Sequence, residues 1–277
     1  MEEEIQHLSV LRLSQFGYEL RKIKSEFNSA SLIRYVHRDD YFMIGLIVQG
    51  EATCTVDFKD YKLETDSLIV VSPGQVHKFI SESGVDAFIL LVDPKSVNNR
   101  VRQIFDSVSL WSAPFFKVKG VYDLEILFDL IMRQQNVVIG KNLIKTSIDI
   151  IAEKISHQLR DSQTISKRRR ELMYKFRNIL HASITEEHRP EYYAGKLNIS
   201  TLHLNEIVHS LTGVNVSQYI ANEIMLMAKR ELYYTEESIG QIALRLGFDD
   251  SAYFTHLFTE TVGLSPSEFR ENLMHSN

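Results

Sequence analysis

The chain has 277 residues, of which 44% are hydrophobic and 24% charged, the composition of a folded protein with room for two or three domains. The formal net charge is −5, and neither residues 1–165 nor residues 166–277 are basic, so charge alone does not indicate nucleic-acid binding. The single cysteine, Cys54, excludes an internal disulfide framework. Because no apolar run is long enough to span a membrane and the acidic residues 1–4 lack the basic region of a signal peptide, we expect a cytoplasmic protein.

The N-terminal third predicts a series of short β-strands. Residues 41–48 form a nearly continuous apolar run, and residues 52–58 alternate between apolar and polar side chains with a period of two. Lys59 and Asp60 follow as a candidate hairpin tip. Further strands are predicted where apolar runs lie between turn residues, at 67–71, 78–81 and 87–92. Many short strands at close spacing indicate a small antiparallel barrel or sandwich.

Helical periodicity replaces the strand pattern further along the chain. Apolar residues recur at helical spacing from Leu124 to Ile131 and again from Leu143 to Leu159, which predicts two amphipathic helices separated at Gly140. The polar residues 161–167 are typical of a linker, and an all-helical region is predicted after it.

The final region contains an internal repeat. Apolar and glycine positions of the first copy recur 50 residues later: Leu204, Ile207, Val208 and Gly213 correspond to Phe254, Leu257, Phe258 and Gly263. Upstream of these positions the two copies are 49 residues apart instead of 50, so the turn of the second copy contains one more residue. Each copy predicts a short helix, a tight turn, and a second helix that is capped by Ser200 or Asp250 and ends at the glycine. This order is that of a helix-turn-helix.

The second helix of each copy has an outer face of short or hydrogen-bonding side chains, which suits contact with base edges in the major groove. A longer helix, predicted at residues 216–233, joins the copies. At about 1.5 Å per residue it spans about 26 Å, of the order of one DNA turn once the flanking units are added. Two helices of this kind therefore suit successive major grooves on one face of DNA.

These residues resemble a known family. The segments IGQIALRLGF at 239–248, SAYF at 251–254, GLSP at 263–266 and EFR at 268–270, with AKR at 228–230, are similar to the signature of AraC/XylS-type transcription regulators. The resemblance covers roughly residues 168–272. It implies that the early turns of each second helix contact DNA bases.

Carried over by position, the implied base-reading residues are Leu202, Asn205, Glu206, Ser251, Ala252, Thr255 and His256. Thr201, on the same outer face of the first copy, completes the predicted DNA-binding residues. Glu206 departs from the family, which often has a basic side chain there. It either accepts from the amino group of a cytosine or merely lies near the DNA or pairs with a neighbour. Leu202 either contacts a thymine methyl group or is a buried residue at the edge of the core.

The N-terminal strands also resemble the cupin-type barrel that many of these regulators use as a sensor. His37, which precedes the strand at 41–48, and the segment SPGQVH at 72–77 carry this likeness. It implies an internal pocket for a small molecule, with His37 and His77 as candidate ligand-binding residues. His77 is equally well interpreted as a surface residue that caps its strand.

A cupin-type enzyme is the alternative from a different functional class. Metal-binding cupins bring several histidines and a carboxylate to one ion, but the segment at His37 lacks a neighbouring second histidine, and Glu51 does not stand at the required spacing. We therefore expect neither a metal nor a cofactor. A third possibility is a regulator that needs no effector and whose barrel is only a scaffold or a dimer surface.

The sequence therefore predicts an α+β protein of several domains. Residues 1–119 form a cupin-like antiparallel β-barrel sensor, residues 120–165 a helical linker or dimerisation segment, and residues 166–277 an all-α tandem helix-turn-helix domain. The predicted function is sequence-specific transcription regulation in response to a small molecule, without enzymatic activity. The predicted partners are double-stranded promoter DNA, a small-molecule effector, a second copy of the chain and, for an activator, RNA polymerase.

Overall fold

The computed structural model describes residues 17–23, 37–81, 84–111, 115–117, 121–134, 137–161 and 166–275. It divides into two compact units, Met1–Gln163 and Thr164–Asn277. Among the described residues, no helix has both the length and the apolar character needed to cross a membrane.

The first unit is built on two antiparallel sheets. Its strands are β1 (Tyr18–Ile23), β2 (His37–Arg38), β3 (Phe42–Gln49), β4 (Glu51–Val56), β5 (Lys59–Glu64), β6 (Ser67–Val71), β7 (Val76–Ser81), β8 (Asp86–Val92) and β9 (Phe115–Lys117). One sheet has five strands in the order β1-β8-β3-β6-β9, and the other has four in the order β2-β7-β4-β5. The predicted antiparallel β-domain is therefore confirmed.

The central strands of the five-stranded sheet are buried on both faces, which explains why their sequences are continuously apolar rather than alternating. One buried cluster lies between the two sheets and includes Met43, Cys54 and Ile69. A second cluster covers the opposite face of the five-stranded sheet. There the strands pack against α1 (Asn99–Trp111), α2 (Val121–Arg133) and α3 (Val137–Asp161).

Two details of the predicted first unit are wrong. The hairpin between β4 and β5 turns at Asp57 and Phe58, not at Lys59 and Asp60. Both turn residues have positive φ, 48° and 66°, as a two-residue turn needs if it is to match the strand twist. Gly140 does not separate two helices, because it lies inside α3. A single glycine costs a helix only about 1 kcal/mol, which the buried face of α3 offsets.

The second unit is all-helical, as predicted. Its helices are α4 (Lys167–Ser183), α5 (Pro190–Lys196), α6 (Thr201–Thr212), α7 (Val216–Tyr234), α8 (Ile239–Arg245), α9 (Ser251–Val262) and α10 (Pro266–His275). Aromatic rings fill the second half of its core, where Phe254 packs at a tilt against Phe248 and Phe258, and Phe258 meets Phe269 edge to face. Leu204, Ile207 and Val208 are the buried side chains of α6.

Candidate nucleic-acid interface

The two copies of the repeat have the same hydrogen-bonded turn. In the first copy, which is α5–turn–α6, the Ile199 N–H donates to the carbonyl of Ala194 at 3.1 Å. In the second copy, α8–turn–α9, the Phe248 N–H donates to the carbonyl of Ala243 at 3.0 Å. The residue before each of these donors has positive φ: 55° at Asn198 and 83° at Gly247. Equivalent turns in both copies confirm the predicted tandem helix-turn-helix.

Gly247 lies where two backbone segments approach closely. A Cβ atom at this position would lie 2.3 Å from the Thr185 carbonyl oxygen, which belongs to the loop between α4 and α5. The His188 ring bridges the same two segments, because its Nε2 lies 3.0 Å from the Leu246 carbonyl oxygen and 2.9 Å from the Ile184 carbonyl oxygen. The turn of the second copy is therefore fixed against the loop that precedes the first copy.

The ends of α6 and α9 are fixed as the sequence predicts. The Ser200 hydroxyl accepts from the His203 N–H at 3.1 Å, and the Asp250 carboxylate accepts from the Ala252 N–H at 2.8 Å. Both helices end at a left-handed glycine, Gly213 or Gly263. These caps satisfy free backbone groups at both helix ends, so each second helix has well-defined ends.

The outer face of α6 presents Leu202 and Glu206 to solvent. Leu202 is 69% exposed, so the interpretation of it as a buried residue at the core edge is wrong. The Glu206 side chain is 53% exposed, and its carboxylate lies 3.5 Å from Nδ1 of His203. Glu206 thus lies beside a neighbouring residue, one of the alternatives left open, and its half-exposed carboxylate is also accessible from solvent. Thr201, in the first turn, is half-buried.

Asn205 has a structural contact that the sequence did not indicate. Its Oδ1 accepts a hydrogen bond from the Val216 N–H at 3.0 Å. Val216 begins α7, and the side chain of Asn215 caps the same helix by accepting from the Gln218 N–H. Asn205 therefore joins the outer face of α6 to the first turn of α7. No pattern in the sequence could reveal this contact, because it depends on how the two helices cross.

The outer face of α9 carries the predicted residues Ser251, Ala252 and His256. Ser251 and Ala252 are exposed, and His256 is exposed as well. Thr255 is half-buried, and its hydroxyl donates to the Ser251 carbonyl at 2.8 Å. Sequence reasoning missed Tyr253, which is 59% exposed on the same turn. In the repeat, Tyr253 occupies the position of His203, which was not among the predicted DNA-binding residues either, so the repeat did not reveal it.

The helix α7 has 19 residues and is about 28 Å long at 1.5 Å per residue. It joins the two copies, as predicted, and contacts α6, α8 and α9. This length is somewhat below one DNA turn of about 34 Å.

The four-stranded sheet brings the two predicted histidine positions together. His37 and His77 are direct partners in the β2–β7 pair. His77 is 1% exposed, so its interpretation as a surface residue is wrong. Its Nε2 lies 3.4 Å from Oδ2 of the buried Asp39, and its Nδ1 lies 3.1 Å from the Gln75 carbonyl. A role of either histidine in ligand binding stays a prediction.

Other reactive chemistry in the described part of the chain is sparse. Within the described ranges, no group of three or more His, Cys, Asp or Glu side chains could hold a metal ion. The Cys54 thiol is fully buried between the sheets, and desolvation raises its pKa well above the usual range. Because the thiolate is the reactive form, this cysteine is poorly nucleophilic.

Tandem helix-turn-helix units with exposed second helices define a class of DNA-binding protein, and two family models match the chain accordingly. A helix-turn-helix domain matches residues 193–272, and an AraC-like ligand binding domain matches residues 26–111. The chain therefore carries an AraC-like ligand-binding domain followed by a helix-turn-helix domain, the domain combination of an AraC-type regulator.

Relatives are similar over part of their length. The HTH-type transcriptional activator RhaR of Pectobacterium carotovorum is 33% identical over 98 residues, which are 35% of this chain and 34% of that protein. RhaR of Klebsiella pneumoniae is 28% identical over 115 residues, 42% of this chain and 41% of that protein. The chain thus spans between a third and about two fifths of these curated relatives. Among solved structures, ToxT from Vibrio cholerae O395 is 15% identical with a TM-score of 0.46, covering 93% of this chain and 98% of that chain.

Proposed function

We propose that the protein is a cytoplasmic, sequence-specific transcription regulator that binds promoter DNA through α6 and α9, responds to a small molecule in its barrel and has no catalytic activity. The observation that carries this proposal is the pair of identically hydrogen-bonded turns, each followed by a capped helix with an exposed face. The matched helix-turn-helix and ligand-binding domains support it. Electrophoretic mobility shift with genomic fragments tests it. We expect the protein to bind only some of the fragments and to stay bound to them in excess unrelated DNA. Equal binding to all fragments contradicts the proposal.

In this proposal the first two turns of each second helix contact bases. Leu202 packs against a thymine methyl group, and the exposed His256 donates or accepts at a base edge. Thr201, Asn205, Glu206, Ser251, Ala252 and Thr255 complete the two faces. The division into a sensor at residues 1–119, a helical segment at 120–165 and a DNA-binding domain at 166–277 is part of the same proposal.

We expect Glu206→Ala to lose about tenfold or more of the preference for one C·G pair, because the exposed carboxylate accepts from the cytosine amino group and a good base contact contributes about 1–3 kcal/mol of discrimination. Glu206→Gln keeps an acceptor but removes the charge, so it should retain part of the preference while binding all sequences more tightly. Competition binding on operators that differ at single positions measures both effects. If Glu206→Ala only tightens binding to every sequence, the carboxylate merely lies near the phosphates.

Dimerisation through α2 and α3 completes the proposal. These helices leave apolar side chains exposed on their outer surface: Tyr122, Ile126 and Leu130 at four-residue spacing on α2, and Val138 and Ile139 on α3. Spacing of this kind is typical of a helix face that packs against another helix. We propose that a second copy of the chain covers this surface. The helical unit lacks net positive charge, and two joined units gain affinity for DNA through effective concentration.

We expect Ile126→Glu to weaken dimerisation at least tenfold, since a carboxylate placed in an apolar interface loses its hydration without a partner. Sedimentation equilibrium measures the dimer dissociation constant. The matched control is Gln103→Glu, which adds the same charge to an exposed position on α1 and should leave dimerisation unchanged. A wild-type protein that sediments as a monomer at micromolar concentration, or an unchanged Ile126→Glu dimer, contradicts this interface.

Two alternatives make different predictions. A cupin-type enzyme would hold about one transition metal ion per chain, so elemental analysis of the purified protein distinguishes it from the regulator. A regulator without an effector would bind its operator equally with and without small molecules. The relatives named transcriptional activators support activation through RNA polymerase, which in vitro transcription from a bound promoter would test.

A further inference from the structure

His188 lies between the two copies of the repeat. It belongs to the loop that joins α4 to α5, and its side chain is half-buried. Its Nε2 lies within hydrogen-bond distance of two carbonyl oxygens, that of Ile184 at 2.9 Å and that of Leu246 at 3.0 Å. Because a carbonyl oxygen can only accept, Nε2 carries the proton and donates to both. One N–H group therefore joins the loop before the first copy to Leu246, the C-terminal cap of α8 in the second copy.

On one side, the loop that carries His188 is fixed to the first copy. Tyr193 of α5 is fully buried, and its hydroxyl donates to the carbonyl of Glu187, the residue before His188. The Tyr193 ring meets Phe176 of α4 edge to face, with the ring centroids 5.5 Å apart. Ile184, whose carbonyl accepts from His188, is itself 2% exposed. The loop is therefore held against α4 and α5.

On the other side, the His188 ring contacts the turn of the second copy. Its centroid lies 5.0 Å from that of the Phe248 ring, with an angle of 44° between the ring planes. The Phe248 N–H closes the turn by donating to Ala243, and the Phe248 ring packs against Phe254 of α9. His188 therefore contacts the residue through which the turn packs on α9.

Two links thus join the copies. One is α7, which runs between α6 and α8. The other is the contact of the loop at 184–188 with the turn at 246–248, where His188 donates to both segments and Gly247 permits the close approach. Because long helices bend, the second link restricts the relative orientation of the copies more than α7 does alone.

We propose that His188 is a positioning residue that sets which separation between two sequence elements this regulator accepts in its operator. The inference rests on the proposed function, because it requires α6 and α9 to contact bases of one DNA molecule. With about 10–10.5 base pairs per turn, one extra base pair moves the second element by about 3.4 Å and rotates it by about 35° around the DNA axis. Two helices held in a fixed relation cannot follow both changes, whereas copies joined by α7 alone follow them more readily.

Duplexes with altered spacing test this role. The probe carries one pair of elements that the wild type selects from random DNA, and two further versions have one base pair removed or added between the elements. The wild type should bind either altered duplex about tenfold or more weakly than the selected one, because one element loses its base contacts. His188→Phe keeps a ring beside Phe248 but has no N–H, so its ratio should fall below about threefold. Fluorescence anisotropy with the full chain measures these ratios.

Two controls separate positioning from general damage. His188→Gln has an amide N–H that can donate as Nε2 does, so it should keep the wild-type ratio. A duplex with one element scrambled should bind the wild type and His188→Phe equally, since a single copy needs no positioning. Because His188 is half-buried, water can replace the lost donor, and we expect His188→Phe to fold. If it does not, His188→Leu, which also lacks a donor, takes its place.

Three results would overturn the proposal. The wild type binds all three spacings equally, or the donor-free variant has the wild-type ratio, or that variant loses the same factor on every duplex, the single-element duplex included. The last result would assign His188 to the stability of one copy rather than to the relation between the two. A wild type that selects no DNA sequence would overturn the proposed function itself, and this inference with it, so the two failures are distinguishable.

Discussion

Alanine in place of Gly247 is expected to destabilise the helical unit by about 3 kcal/mol or more. The left-handed conformation, with φ of 83°, costs a residue with a Cβ about 1–2 kcal/mol. The remainder comes from the Thr185 carbonyl oxygen, which the new Cβ would approach to 2.3 Å and which must therefore move. Urea unfolding, followed by helical circular dichroism, measures the loss.

Variants at two other glycines separate the cost of the left-handed backbone at Gly247 from the cost of its close contact with Thr185. Gly213 has φ of 77° with open space around it, so Gly213→Ala should cost only the conformational part, about 1–2 kcal/mol. Gly240 lies in α8, where an added Cβ atom would meet no neighbouring group within 4 Å, so Gly240→Ala should be neutral or stabilise by up to about 1 kcal/mol. Equal losses for Gly247→Ala and Gly213→Ala would show that the close approach at Thr185 is unimportant.

The second large effect is expected on operator binding. We expect His256→Ala to weaken operator binding about tenfold or more and to relax the preference at one base pair, because one base contact contributes about 1–3 kcal/mol. His256 is exposed, so its removal should not change stability. Fluorescence anisotropy with operator and unrelated DNA measures affinity and preference. The control is Asn178→Ala. Asn178 lies on α4, which is separate in the sequence from both second helices, so this variant should bind as the wild type does.

Asn205 needs a more careful substitution, because it also supports α7. Asn205→Ala removes the acceptor of the Val216 N–H, a loss of about 1 kcal/mol in stability, together with any base contact. Asn205→Asp keeps an acceptor oxygen, removes the amide donor and adds a negative charge. We therefore expect Asn205→Asp to unfold like the wild type and to lose operator preference. If both variants lose stability equally and keep the preference, Asn205 is only structural.

The sequence predicted those parts of the fold that have either a periodic or a continuously apolar pattern. The apolar runs that became β3, β6 and β8 were predicted because burial on both faces leaves no polar residue in them. The strands β1, β2, β5 and β9 and the helix α1 were missed. β2 and β9 are too short to show a pattern, and β5 has only one fully buried residue, Leu63.

The candidate DNA-binding faces were predictable because each position in one copy of the repeat can be compared with the equivalent position in the other copy. The caps at Ser200 and Asp250 and the glycines at 213 and 263 are local signals and lie where the sequence predicts them. The contact of Asn205 with α7, the approach of Thr185 to Gly247 and the burial of His77 beside Asp39 are tertiary. They arise from how separate elements pack, so no local pattern predicts them.

The central claim is that α6 and α9 both contact bases of one operator. Genome-wide mapping of bound sites, for the wild type and for the Asn205→Asp/His256→Ala double variant, tests it most directly. We expect wild-type sites to share two short sequence elements about 10–10.5 base pairs apart, one for each helix, and the double variant to lose these sites while it remains folded. Wild-type binding without a shared sequence, or a double variant that occupies the same sites, would contradict the claim.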